Sequence, residues 1–156
     1  MIKSNVKKIV EKIENSQKSI FQKKLQHIGP FLMSYTTKKK DYFDNAKEVK
    51  KTFDYIFSED IQPIVKISKL ISKILPEYST SLARESGNDF SPHVIRIHGN
   101  GKLIPIHKDN VKYEGKECDF SGTDNQLSCI VHLQEPQDGG QIVIYDKQWI
   151  RNDEKL

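Results

Sequence analysis

The sequence predicts an α+β fold in a single domain, helices first and antiparallel strands after. Three observations carry this. Apolar residues in the first half recur at helical spacing, and from Pro92 they fall into short β-branched runs, with glycine turns between those runs. At 156 residues the chain suits one domain with its own core. Residues 1–78 read as mainly helical support and 79–156 as the β-rich part.

Ile2, Val6, Ile9, Val10 and Ile13 line one side of a first helix, which Ser4 or Asn5 could cap and which should end near Asn15-Ser16. A second helix over 19–25 would stop at Gly29-Pro30. Phe31 to Tyr35 reads as a strand or a buried turn, and Thr36 to Lys40 as a polar loop. Tyr42, Phe43, Ala46, Val49, Phe53, Ile56 and Phe57 predict an amphipathic helix over 41–57 whose aromatic stripe is core. Asp60 could cap the next helix, with Ile61, Ile64, Val65, Ile71, Ile74 and Leu75 on its face; Pro63 suits the first turn and Pro76 ends it.

Beyond Pro76 the texture turns polar, with Leu82-Ala83-Arg84 as a short strand followed by a loop. Val94, Ile95 and Ile97 predict a strand, Gly99-Asn-Gly101 a hairpin turn, and 103–106 the return strand. Residues 110–125 form a polar excursion. Leu127, Cys129, Val131 and Leu133 share one face of a further strand; a turn over 136–140 leads to a last strand at 141–145, and Trp149 follows.

Composition narrows the function classes. The chain is 36% hydrophobic and 29% charged, a folded but wet protein. Its net charge of +4 comes mostly from lysines, with arginine only at 84, 96 and 151. A nucleic-acid surface would favour arginine forks, so a solvated lysine surface is the better account. No apolar run is long enough to span a membrane, and the N-terminus has no signal-peptide pattern. Cys118 and Cys129 suggest neither a disulfide framework nor a zinc site, which points to a reducing, cytoplasmic setting.

The chemistry-bearing stretch is Lys102-Leu-Ile-Pro-Ile-His-Lys-Asp-Asn110. At a strand end, His107 and Asp109 point to one face with Cα atoms about 6.6 Å apart. An imidazole nitrogen and a carboxylate oxygen there can hold one divalent metal ion. His132 alternates with Val131 and Leu133 and reads first as a hydrogen-bonded structural histidine, with a cosubstrate or substrate contact as the other reading. Arg96, between Ile95 and Ile97, could reach a carboxylate; Asn110 and Gln126 are candidate cosubstrate contacts. His98 abuts the Gly99 turn and reads as exposed, His27 and His93 carry no pattern, and Tyr145 and Trp149 read as packing residues.

Read together, His107-x-Asp109, the strand Leu127-Ser-Cys-Ile-Val-His-Leu133 and Asp138-Gly-Gly-Gln-Ile-Val-Ile-Tyr145 resemble the core of the Fe(II)/2-oxoglutarate-dependent oxygenases. Residues 40–150 are similar in texture to freestanding small-molecule members, including aliphatic halogenases of indole-alkaloid pathways. The resemblance implies helices packed on a partial double-stranded β-helix, or jelly roll. Gly139 and Gly140 would make its tight turn. It implies His107 and Asp109 as iron ligands, Fe(II) as metal, 2-oxoglutarate as cosubstrate, O₂ as oxidant and a small molecule as substrate. Those halogenases carry glycine or alanine where this sequence keeps Asp109, so the resemblance implies hydroxylation or another oxidation rather than halogenation.

Two departures shape the expectation. The family's third ligand is a downstream histidine, and its 2-oxoglutarate anchor is an Arg or Lys beyond that. No histidine follows His132, and Arg151 comes too early to match the anchor. A truncated, split or decayed oxygenase is therefore expected, with an unpaired sheet edge inviting self-association or a partner chain. The alternatives are a catalytically inactive partial β-helix serving as subunit or binding module, and a basic helical adaptor.

Overall fold

A computed structural model describes residues 2–20, 27–35, 37–57, 62–99 and 101–146. Its elements bear out the α+β class. Helix α1 (Ile2–Ile20) leads to strand β1 (His27–Ile28) and a 3₁₀ turn (Leu32–Tyr35), then helices α2 (Lys39–Ile56) and α3 (Pro63–Ile74). Strands β2 (Arg84–Glu85), β3 (Asn88–Asp89) and β4 (Ile95–Arg96) follow, then a short helix α4 (Val111–Glu114) and a 3₁₀ turn (Asp119–Gly122).

Helix α2 is the spine, because its apolar stripe serves two cores in turn. Tyr42, Phe43 and Ala46 from its first half pack with Phe90 and Cys118, and with the partly buried Leu32, Tyr35 and Phe120. Phe53 and Ile56 from its second half, with Phe57 just beyond, meet Ile9 and Ile13 of α1. Ile28 and Ile95 complete that second core, where β1 and β4 pair antiparallel with Ile28 opposite Ile95. Gly29 sits under this ladder at φ +100°. A Cβ there would lie 2.8 Å from the His93 carbonyl oxygen and 3.0 Å from the Phe53 ring, so both backbone and space require glycine.

Local chemistry moves several boundaries from their expected places. Helix α1 runs past Ser16 because the buried Ser16 hydroxyl donates to the Lys12 carbonyl (2.8 Å), which satisfies it inside the helix. The second helix expected over 19–25 does not begin separately, since 19 and 20 belong to α1; residues 21–25 lie outside the described residues, as do Asp60, Ile61, Trp149 and Arg151. Residues 31–35 resolve into a turn rather than a strand. Helix α3 starts at Pro63, which lies in the first turn as expected, with Gln62 at the cap position donating to the Phe57 carbonyl (3.3 Å). None of α3's residues is buried, and Val65, Leu70 and Ile74 stand exposed.

Strands β2 and β3 form a hairpin across Ser86-Gly87, both with positive φ (49° and 79°). That is the geometry whose twist matches paired strands. Glu85 is buried at its base. One carboxylate oxygen takes the Lys39 ammonium at the start of α2, and the other accepts the Asp119 N–H (3.1 Å). One side chain thus ties helix, hairpin and the 119–122 turn. The hydrogen bond from Lys39 holds the Glu85 carboxyl below its ordinary range and raises Lys39 in turn.

The strands expected over 103–106, 127–133 and 141–145 form no ladder among the described residues. The turn before the first of them is present: the Lys102 N–H donates to the Gly99 carbonyl (3.2 Å), with Gly101 at φ +72°. Among the described residues no helix is long and apolar enough to cross a membrane.

Candidate metal centre

His107 and Asp109 lie outside any strand, and their side chains approach one another. His107 Nε2 stands 3.7 Å from Asp109 Oδ1. The outer atom of each group is pinned. His107 Nδ1 lies 2.8 Å from the Pro105 carbonyl oxygen. A carbonyl only accepts, so Nδ1 carries the proton and donates. In the neutral ring, Nε2 then presents a lone pair to the gap. The Ser128 hydroxyl donates to Asp109 Oδ2 (3.0 Å), which leaves Oδ1 facing the same gap.

Two electron-pair donors aimed at each other across 3.7 Å repel unless something positive lies between them. A proton on the imidazole would serve, and so would a metal ion. An imidazole nitrogen and a carboxylate oxygen are donors that a divalent metal accepts, and His107 and Asp109 are the residues that would hold it. The donor types and pinned outer atoms fit a divalent metal. A third His, Cys, Asp or Glu donor does not join them among the described residues.

Two contacts set this geometry from the next extended segment. Ser128 reaches Asp109, and Gln126 Oε1 accepts the Val111 N–H (2.7 Å). Residues 128 and 126 thus answer 109 and 111, the register of antiparallel neighbours held by side chains in place of a backbone ladder. Asn110 caps α4 by accepting the Lys112 N–H (3.0 Å). Gln126 and Asn110 are therefore both engaged with backbone.

The other expected residues lie apart from the pair. The Arg96 guanidinium sits 4.9 Å from the Phe31 ring centroid, and Arg96 is paired across the ladder with His27. Burial lowers the pKa of His27, and the nearby Arg96 charge adds to this. His132 is exposed. Gly139 and Gly140 both take positive φ (69° and 70°). His107 and Asp109 themselves stand half and about one-third exposed (50% and 37%), so the centre opens to solvent.

Sequence reasoning passed over Ser128 and Glu85. Ser128 had one available signal: it lies on the predicted 127–133 strand, on the face opposite Leu127, Cys129 and Val131. Glu85 had none, since its partners Lys39 and Asp119 lie 46 and 34 residues away.

No curated protein and no solved structure matches the chain. The profile of one family, described as the carrier-protein-independent halogenase WelO5, matches residues 1–155. That span takes in α1, both cores, the His107–Asp109 pair and the Gly139-Gly140 turn, and it agrees with the oxygenase class the motifs pointed to. The chain belongs to the WelO5 family of carrier-protein-independent halogenases, within the Fe(II)/2-oxoglutarate-dependent enzymes.

Proposed function

We propose that this chain is an Fe(II)/2-oxoglutarate-dependent oxygenase that hydroxylates or otherwise oxidises a small molecule. The observation that carries the reading is the convergence of His107 Nε2 and Asp109 Oδ1 at 3.7 Å, each with its other polar atom tied down. Bound iron with 2-oxoglutarate and O₂ supplies the oxidising chemistry, and the protein orients and shields it. The Pro105 carbonyl sets the imidazole tautomer that can donate to iron, and Ser128 turns Oδ1 inward. Asp109 fills with carboxylate the position that the halogenases it resembles leave open for chloride. That favours oxygen transfer over halogenation.

Anaerobic addition of Fe(II) and 2-oxoglutarate should produce the visible charge-transfer band of the chelate. His107→Ala should abolish it, and Asp109→Ala, which recreates the open position of the halogenases, should weaken or shift it. A band unchanged in both variants overturns the assignment of these ligands. A second reading, an inactive subunit or binding module, is favoured by the absence of a three-donor cluster among the described residues. It predicts no band and no metal-dependent rise in melting temperature in the unaltered chain.

A further inference from the structure

The three long helices differ in what their apolar stripes meet. Ile9 and Ile13 of α1 and the stripe of α2 are buried in the two cores. Helix α3 contributes to neither core, and none of its residues is buried. It is amphipathic all the same. On a helical wheel Ile64, Ile67, Leu70, Ile71 and Ile74 occupy an arc of about 120°, and Lys66, Lys69 and Lys73 a separate arc of about 60°. Val65 lies off the apolar arc, while Leu70 and Ile74 on it stand 56% and 66% exposed. Charge also sets α3 apart. Acids are interspersed among the lysines of α1 and α2, whereas Gln62 to Pro76 holds no Asp or Glu. Among the described residues no carboxylate pairs with Lys66, Lys69 or Lys73.

We propose that α3 docks this chain on an anionic lipid surface, lying in the headgroup plane with its isoleucine–leucine arc toward the acyl chains. Charge complementarity selects this occupant. A face that meets only water mixes both signs, as α1 and α2 do. A lysine row of one sign beside an apolar arc matches negative headgroups over hydrocarbon. The lysine stems lie along the edge of the arc and carry their ammonium groups out to the phosphates. A protein groove would call for an aromatic or arginine anchor, and α3 has neither. Lipid chains take isoleucine and leucine without a shaped pocket. The helix lies on the surface and does not cross it: Pro63 opens it, Pro76 follows it, and its 12 residues are too few to span a bilayer.

The test is co-flotation of the full chain with vesicles, of phosphatidylcholine alone and of equal parts phosphatidylcholine and phosphatidylserine. The chain should float with the anionic vesicles and not with the neutral ones, and high salt should weaken the binding. EDTA should leave it unchanged, because His107 and Asp109 take no part, so its outcome is separate from that of the oxygenase reading. Lys66→Gln/Lys69→Gln/Lys73→Gln should weaken binding roughly a hundredfold. Leu70→Gln/Ile74→Gln should weaken it about tenfold or more with unaltered helical circular dichroism, since both side chains are exposed. Lys47→Gln/Lys50→Gln/Lys51→Gln removes the same charge from exposed positions of α2 and should leave most of the binding in place. No binding to the anionic vesicles overturns the proposal, and so does equal binding to both kinds. An α2 variant that loses as much as the α3 lysine variant also overturns it, by reducing the effect to net charge. A dimer that the α3 variants dissolve, in a chain that ignores vesicles, would assign the face to a second copy instead.

Discussion

Ile95 and Ile144 occupy similar text, Val-Ile-Arg-Ile in one case and Ile-Val-Ile-Tyr in the other, and reach opposite conditions. Ile95 is 8% exposed in a ladder with Ile28, under α1 and α2. Ile144 is 88% exposed on backbone paired with nothing described. Intrinsic preference is the same for both. What differs is that two helices bring Ile95 a surface to bury against. β-propensity expresses fit to a half-buried pleated surface, and without that surface it buys no order.

The contrast breaks most sharply at Phe53. It is buried, touches the rings of Phe57 and His93, and sits against Gly29. Phe53→Ala should cost roughly 3–5 kcal/mol in urea unfolding. A loss below about 1 kcal/mol would mean that the first half is no better packed than the second. Gly29→Ala should cost about 1–3 kcal/mol, because it adds a clash with the His93 carbonyl to an unfavourable φ. Gly139→Ala also faces a positive φ but meets nothing within 4 Å, so its cost should stay near 1 kcal/mol. Equal losses at the two glycines would erase the distinction between packed and open backbone.

At the centre itself, Ser128→Ala should weaken Fe(II) binding about tenfold while leaving the His107 tautomer in place. Loss of the Ser128 hydroxyl frees Asp109 Oδ2 and lets the carboxylate rotate. Isothermal titration with Fe(II) under anaerobic conditions reads this directly. An unchanged affinity would show that the second extended segment contributes nothing to ligand geometry.

Acid should loosen the packed half before it touches the open one. Burial between aromatic rings lowers His93 from its ordinary 6.5. Between the lowered value and 6.5 the unfolded chain binds more protons, so stability is full above 6.5 and declines as pH falls through that interval. His93→Gln should flatten the slope. Glu85 acts in the same direction further down: its contribution is complete above the ordinary carboxylate range and is lost as pH falls through its lowered value. A melting series from neutral to acid pH separates the two steps.

The sequence made the helices legible because a 3.6-residue stripe such as that of 42, 43, 46, 53, 56 and 57 needs no partner to be recognised. The Glu85–Asn88 hairpin was hidden, since Ser86 takes a positive φ that favours glycine or asparagine and lies inside a uniformly polar stretch. The β-branched runs at 103–106 and 141–145 were legible as strand material, but a ladder depends on residues far away in the chain. The metal pair follows the same rule. The spacing of His107 and Asp109 was readable, whereas the Ser128 contact spans 19 residues and leaves no local trace.

The smallest effect is the most discriminating about the open half. Leu103 is 88% exposed, so Leu103→Ser removes almost no buried surface. Urea unfolding at a dilution that keeps the chain monomeric should change by less than about 0.5 kcal/mol. Ile56→Ala, at a fully buried position (0% exposed), should cost roughly 2–5 kcal/mol in the same experiment. Both residues are aliphatic and of similar size, so the large difference in burial dominates the ratio of the two losses. A Leu103→Ser loss comparable to that of Ile56→Ala would mean that 103–106 packs against the core after all.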